Sequence, residues 1–119
     1  MEKSINKVEL SGFAGMNPEV KTLKNGSQML RFSLATSNSY KNRNDEWVRD
    51  TTWHNIVMWD KLSEEALSKI RKGTFVSLHG KIVYRKYTDK NGVEQNVVEI
   101  RALSFEAVEI SKKMSEMFA

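Results

Sequence analysis

Trp53 and Trp59 stand six residues apart in TTWHNIVMW, a segment that alternates like a β-strand. An even separation places both indoles on one face, with Asn55 and Val57 between them. Trp47 and Arg49 share that parity if the strand extends backwards. In FVSLHGKIVYRKY, His79, Lys81, Val83, Arg85 and Tyr87 share one face. Val76, Leu78, Gly80 and Ile82 form the other, better core face, so Arg85 and Tyr87 point away from the core. Exposed rings interleaved with cations suit unstacked nucleobases, each base–aromatic contact contributing about 1–3 kcal/mol. Lysine and arginine follow the phosphates and release counterions, which makes binding salt-dependent. Stacking reads no hydrogen-bond pattern, so such a surface accepts any sequence and disfavours duplexes, whose base faces are hidden.

A second reading stays open at this level, because a lone strand tryptophan is more often core than platform. Trp53 is a candidate for either role. Tyr40 and Trp47 sit in or beside a polar segment with Lys41, Arg43 and Arg49, have less core to enter, and read as contacts. Lys61, Arg71 and Lys72 also serve a helix, and Lys112 and Lys113 are equally consistent with plain solvation.

These residues need a scaffold made mainly of strands. Val8, Leu10, Gly12 and Ala14 share one parity, and Gly12 and Gly15 suit a strand bent around a barrel. Pro18, in GMNPEV, marks a turn between two short strands. Asn25-Gly26 predicts a hairpin, followed by a strand with Leu30, Phe32, Leu34 and Thr36 on one face. SNSYKNRNDEW is polar and Asn-rich and is expected to be a long, mobile loop. A helix starts near Leu62, capped by Asp60 or Ser63, with Glu64 and Glu65 in its first turn. Lys69, Arg71 and Lys72 fall in its last turn and Gly73 stops it. Leu62, Ala66 and Ile70, joined by Leu67, form its apolar stripe and plug one end of the sheet. TDKNGV predicts a second hairpin tip before the strand NVVEIRALSF, and EISKKMSEMFA is a short helix or frayed tail. The result is a mainly β fold, a five-stranded OB (oligonucleotide/oligosaccharide-binding) barrel with one short helix between strands 3 and 4. Residues 1–110 form the domain and 111–119 the tail. Periodicity alone leaves other small barrels and α+β sheets open.

Composition narrows the function classes. The 119 residues suffice for one core, and the formal charge of +4 favours a polyanionic partner without proving one. No stretch approaches the roughly 18 apolar residues of a membrane span, and MEKSINKVEL lacks the apolar core of a secretory signal. The absence of cysteine fits a reducing compartment and leaves no thiolate metal site. With two histidines, His54 and His79, and no HExxH, phosphate loop or nucleophile motif, an enzyme is not expected. Glu64, Glu65 and Glu106 show no convergent spacing, so no metal and no cofactor are expected either.

The segments INKVELSGFAGMNPEVKTLKNGSQMLRFSLATSNSY, TTWHNIVMWDKLSEEALSKIRKGTFVSLHGKI and YRKYTDKNG resemble the bacterial single-stranded DNA-binding proteins from about Ile5 to Ile110. Each piece is weak alone; in this order they are specific. The resemblance implies an OB fold assembled as a homotetramer that protects single-stranded DNA during replication, recombination and repair, without membrane association. It also implies a bacterial cytoplasmic, nucleoid-associated setting. The family's stacking aromatics fall on Tyr40, Trp53, Trp59 and Tyr87; Trp47 is added from its neighbourhood alone. Basic residues near the path, by the same likeness, are Lys41, Arg43, Arg49, Lys61, Arg71, Lys72, Arg85 and Lys86. His54 matches a histidine of subunit contacts, and the strand around Asn6, Lys7, Val8 and Leu10 is the expected pairing edge between subunits. Family members usually end in an acidic tip that recruits replication and repair proteins. This sequence stops at EISKKMSEMFA, which puts such recruitment in doubt. The rival readings are another OB module, either a primosome component or an RNA-binding barrel, and an assembly protein with no nucleic acid role.

Overall fold

In the computed structural model, which describes residues 3–108, the strands are β1 (Val8–Ala14), β2 (Glu19–Thr22), β3 (Gln28–Lys41), β4 (Trp47–Trp59), β5 (Phe75–Thr88) and β6 (Glu94–Val108). One helix, α1 (Asp60–Lys69), joins β4 to β5. The sheet runs β1-β5-β6-β4-β3-β2, and a further β1–β3 pairing closes it into a barrel of five strands. All pairings are antiparallel except β4 with β6, which meet only at Ile56↔Ile100 and Val57↔Arg101. This is the expected OB barrel. The short β2 lies along the part of β3 that β1 leaves free, so α1 follows the third of the five barrel strands.

Alternation builds the core. Leu30, Phe32 and Leu34 of β3 meet Ile56 and Met58 of β4, Val76 and Leu78 of β5, and Ile100 and Ala102 of β6. Each large aliphatic side chain so buried contributes about 1.5–3 kcal/mol. Gly12 lets β1 cross β3: a Cβ there would strike the carbonyl of Ala35. On β6 a register shift opposite His79/Gly80 pairs Ser104 and Ala102 with consecutive residues and skips Leu103. The inward parity therefore changes from Ile100 and Ala102 to Phe105 and Ala107.

The helix corrects several expectations. Ala66 and Ile70 are fully buried and Leu62 packs against them, but Leu67 is exposed and lies outside the stripe. Neither proposed cap works as one: no side chain caps the first turn, and the Asp60 carboxylate accepts the Gln28 N–H instead, at 3.0 Å. Ser63 is buried inside the helix, and its hydroxyl has no hydrogen-bond partner. Because the helix begins at Asp60, Glu64 and Glu65 follow its first turn. It ends as Ile70 becomes extended, so Arg71, Lys72 and Gly73 belong to the turn beyond.

The segment expected to be a long mobile loop is a hairpin arm. β3 and β4 stay paired from Met29↔Trp59 to Lys41↔Trp47, leaving only residues 42–46 as a tip. Its polar composition reflects two solvated faces; the backbone ladder satisfies the amides whatever the side chains. Residues 109–119, and with them the tail expected over 111–119, lie outside the described residues.

Candidate nucleic-acid interface

The odd-numbered face of β4 continues across the sheet. Register places Arg31 of β3 opposite Val57 and Met29 opposite Trp59, and on the other side Lys81, Val83 and Arg85 of β5 lie opposite Arg101, Glu99 and Val97 of β6. All of these but Val97, with Glu19, Lys21 and Leu23 beside them, line a groove of about 610 Å³. Its walls alternate apolar surface (Val57, Val83, Met29) with the cations of Lys21, Arg31, Lys81, Arg85 and Arg101. Trp59 lies in it half-buried, which keeps a ring face available without losing its anchorage.

Trp53 is 61% exposed, which excludes the core reading. Its indole ring lies over Gly15, where an added Cβ would collide with the ring edge. It lines a second cleft, between the β3–β4 arm and β6, with Asn55, Asn96 and Val98. Further out on the same face, Trp47 is 74% exposed and Arg49 is open to solvent. Tyr87 is exposed on the groove face of the β5–β6 arm.

Other expected residues stand elsewhere. Tyr40 pairs with Val48, and this parity puts it on the opposite face of the arm from the tryptophans. Lys86 likewise shares its face with Asn96 and not with Arg85. Lys41 and Arg43 are exposed at the arm tip, with Lys41 3.4 Å from Asp45; a pair so open is worth little and leaves the lysine free to exchange partners. Lys61 opens the helix, and Arg71 and Lys72 lie on the turn beyond it, where Asn17 accepts the Lys72 N–H at 2.9 Å; none of the three lines the groove. Arg85 does line it, but it is engaged. Its Nε donates to Glu99 Oε1 at 2.9 Å and its Nη2 to Oε2 at 3.4 Å. The hydrogen bond to Glu99 raises the guanidinium pKa further above its already high value.

Sequence reasoning missed four groove cations: Lys21, Arg31, Lys81 and Arg101. Strand parity already placed Arg31 and Lys81 away from the core. Placing them beside Trp59 required the register between strands.

At the edge expected to pair subunits, the Asn6 side chain bridges to β5, donating to the Ile82 carbonyl at 2.8 Å and accepting the Ile82 N–H at 2.9 Å. Val8 and Leu10 pack partly against the core, while Lys7 is exposed. His54 faces inward beside Ile56, and its Nε2 lies 2.9 Å from the Thr36 hydroxyl. Among the described residues no cluster of His, Cys, Asp and Glu could hold a metal ion, and no helix is long and apolar enough to cross a membrane.

A closed OB barrel with a cationic, aromatic groove across its strand face defines an oligonucleotide- or oligosaccharide-binding module. Residues 5–108 match the Single-strand binding protein family, and the chain belongs to it. Single-stranded DNA-binding proteins from serogroup A and serogroup B strains of Neisseria meningitidis are each 44% identical over 99 residues, which cover 83% of this chain and 57% of theirs. The chain thus spans little more than half the length of these relatives. The structure of Plasmodium falciparum SSB in complex with single-stranded DNA superposes with a TM-score of 0.79 at 31% identity, over 92% of this chain and 99% of that one. A deletion mutant of the single-stranded DNA-binding protein from Thermus aquaticus shares the fold, with a TM-score of 0.75 at 21% identity, over 88% of this chain and 51% of that one.

Proposed function

We propose that this chain binds single-stranded DNA with little regard to sequence and protects it during replication, recombination and repair. The observation that carries the reading is one strand face: Trp47, Trp53 and Trp59 follow one another at even spacing along β4, beside a groove lined with arginine and lysine. Bases stack on these indoles and on Tyr87, while phosphates run past Arg31, Lys81, Arg101 and Arg49. Family membership and the DNA complex of the Plasmodium relative support the same ligand.

The working form is a homo-oligomer, expected to be a tetramer. Val8–Gly12 of β1 pair only with β5, because β3 joins β1 at Phe13 and Ala14 alone, so a second copy has a strand edge to add to. Lys7 directly precedes this edge in the chain, and His54 is assigned to subunit contacts on the family likeness alone.

Titration with thymidine oligomers, followed by tryptophan fluorescence at two salt concentrations, tests the function. Strong quenching and a clear loss of affinity at the higher salt are expected, with duplex DNA competing poorly. Unchanged fluorescence at saturating oligomer overturns the reading. Tighter binding of RNA than of DNA transfers it to an RNA-binding barrel.

A further inference from the structure

Among the described residues Glu99 is the one buried charged side chain, 6% exposed in the wall of the groove. A carboxylate there opposes any polyanion unless it is neutralised. Arg85 neutralises it through the two-point fork at 2.9 and 3.4 Å. The same guanidinium lies over the ring of Tyr87, its Cζ 5.8 Å from the ring centroid. The three side chains form one connected series across β5 and β6: carboxylate, guanidinium, ring.

We infer that Arg85 is a positioning residue for Tyr87 and not a phosphate contact: Glu99 anchors the guanidinium, and the guanidinium backs one face of the ring so that the other face meets a single nucleobase. This rests on the proposed binding of single-stranded DNA. A phosphate reaching Arg85 would have to displace a carboxylate that is then left buried and unpaired, which is strongly unfavourable. Among the described residues, Lys81, Arg31 and Arg101 form no ion pair, although the more exposed Glu19 lies across from Arg31, and they meet phosphates without leaving a buried carboxylate unpaired. With one face of Tyr87 covered, this arm takes one base on the ring and does not sandwich it.

The test keeps the net charge fixed. The double variant Arg85→Gln/Glu99→Gln removes one charge of each sign and leaves two amides able to hydrogen-bond. Its affinity for thymidine oligomers is measured across a salt series, alone and combined with Tyr87→Ala. The inference expects a loss of about three- to tenfold in the parent background and almost none beside Tyr87→Ala. It also expects an unchanged slope of log affinity against log salt. Equal losses in both backgrounds, or no loss in either, overturn it. A slope smaller by about 0.7 identifies Arg85 as a phosphate contact after all. A measurement on the unmodified chain guards against misfolded variants: the Arg85 Nε–H nuclear magnetic resonance signal should hold its carboxylate-bonded position when oligomer is added. Movement of that signal to a phosphate-bonded position overturns the inference. Failure of the unmodified chain to bind any oligomer is a separate result, which removes the proposed function and this inference together.

Discussion

At the scale of single residues, the interface depends on rings that are held in place and still wet. Trp53 meets that need by lying across Gly15, a position with no side chain to lift it. Trp53→Ala should weaken binding of thymidine oligomers by about 1–3 kcal/mol, read by titration on a variant shown to be folded. Gly15→Ala should displace the indole, alter the near-ultraviolet circular dichroism of tryptophan, and weaken binding by less than Trp53→Ala does. An affinity equal to the parent's would show that the seat contributes nothing.

At the scale of elements, the three hairpin tips share one geometry. In residues 23–27, 42–46 and 89–93 the first N–H donates to the fifth carbonyl and the fourth N–H to the first carbonyl. The fourth residue has positive φ each time: Gly26 at 89°, Asp45 at 63° and Gly92 at 78°. Asn-Gly marked two of these tips in the sequence. The third was missed because an aspartate, which tolerates the left-handed region, stands where glycine gives the usual signal. The two long arms differ in chemistry. Asn42 Oδ1 accepts the N–H groups of Asn44 and Glu46, and Asp89 Oδ1 accepts those of Asn91 and Val93. The Val93 N–H, then the Gln95 amide, hold the Asp89 carboxyl below the ordinary aspartate range. A carboxylate depressed in the folded form stabilises that form above its unfolded pKa, about 3.9, and the contribution is lost as pH falls through the lower folded value. Acidification should therefore speed hydrogen exchange at Asn91 and Val93 relative to Asn44. Asp89→Asn should abolish the difference; exchange that responds alike in both tips would refute the assignment.

At the scale of the whole molecule, one barrel presents two arms and, along Val8–Gly12 of β1, an unpaired strand edge. The net charge of +4 is modest, so affinity should come from the groove's local field and not from the molecule's total charge. Replacing Arg31 and Arg101 by glutamine should each lower the salt slope by about 0.7 and weaken binding to all sequences alike. Light scattering should report a mass of several chains, and amide exchange of Val8–Ser11 should slow as concentration rises. A monomer at all concentrations with unprotected β1 amides would remove the proposed assembly.

Residue order alone decides which face of each long strand is apolar, but it leaves Trp53 open between core and surface until the structure shows the ring 61% exposed. Period-two alternation is a local property, and TTWHNIVMW and FVSLHGKIVYRKY carry it plainly. It also determined the two Asn-Gly tips and the family likeness. What it left undecided are relations between strands. Only the register shows that Tyr40 turns away from the tryptophans, that Arg31 and Arg101 join Trp59, and that Arg85 is held by Glu99. Those relations depend on which strands pair, where β6 skips Leu103 and how the barrel closes at Gly12. They are set by contacts between residues far apart in the chain, which no local pattern encodes.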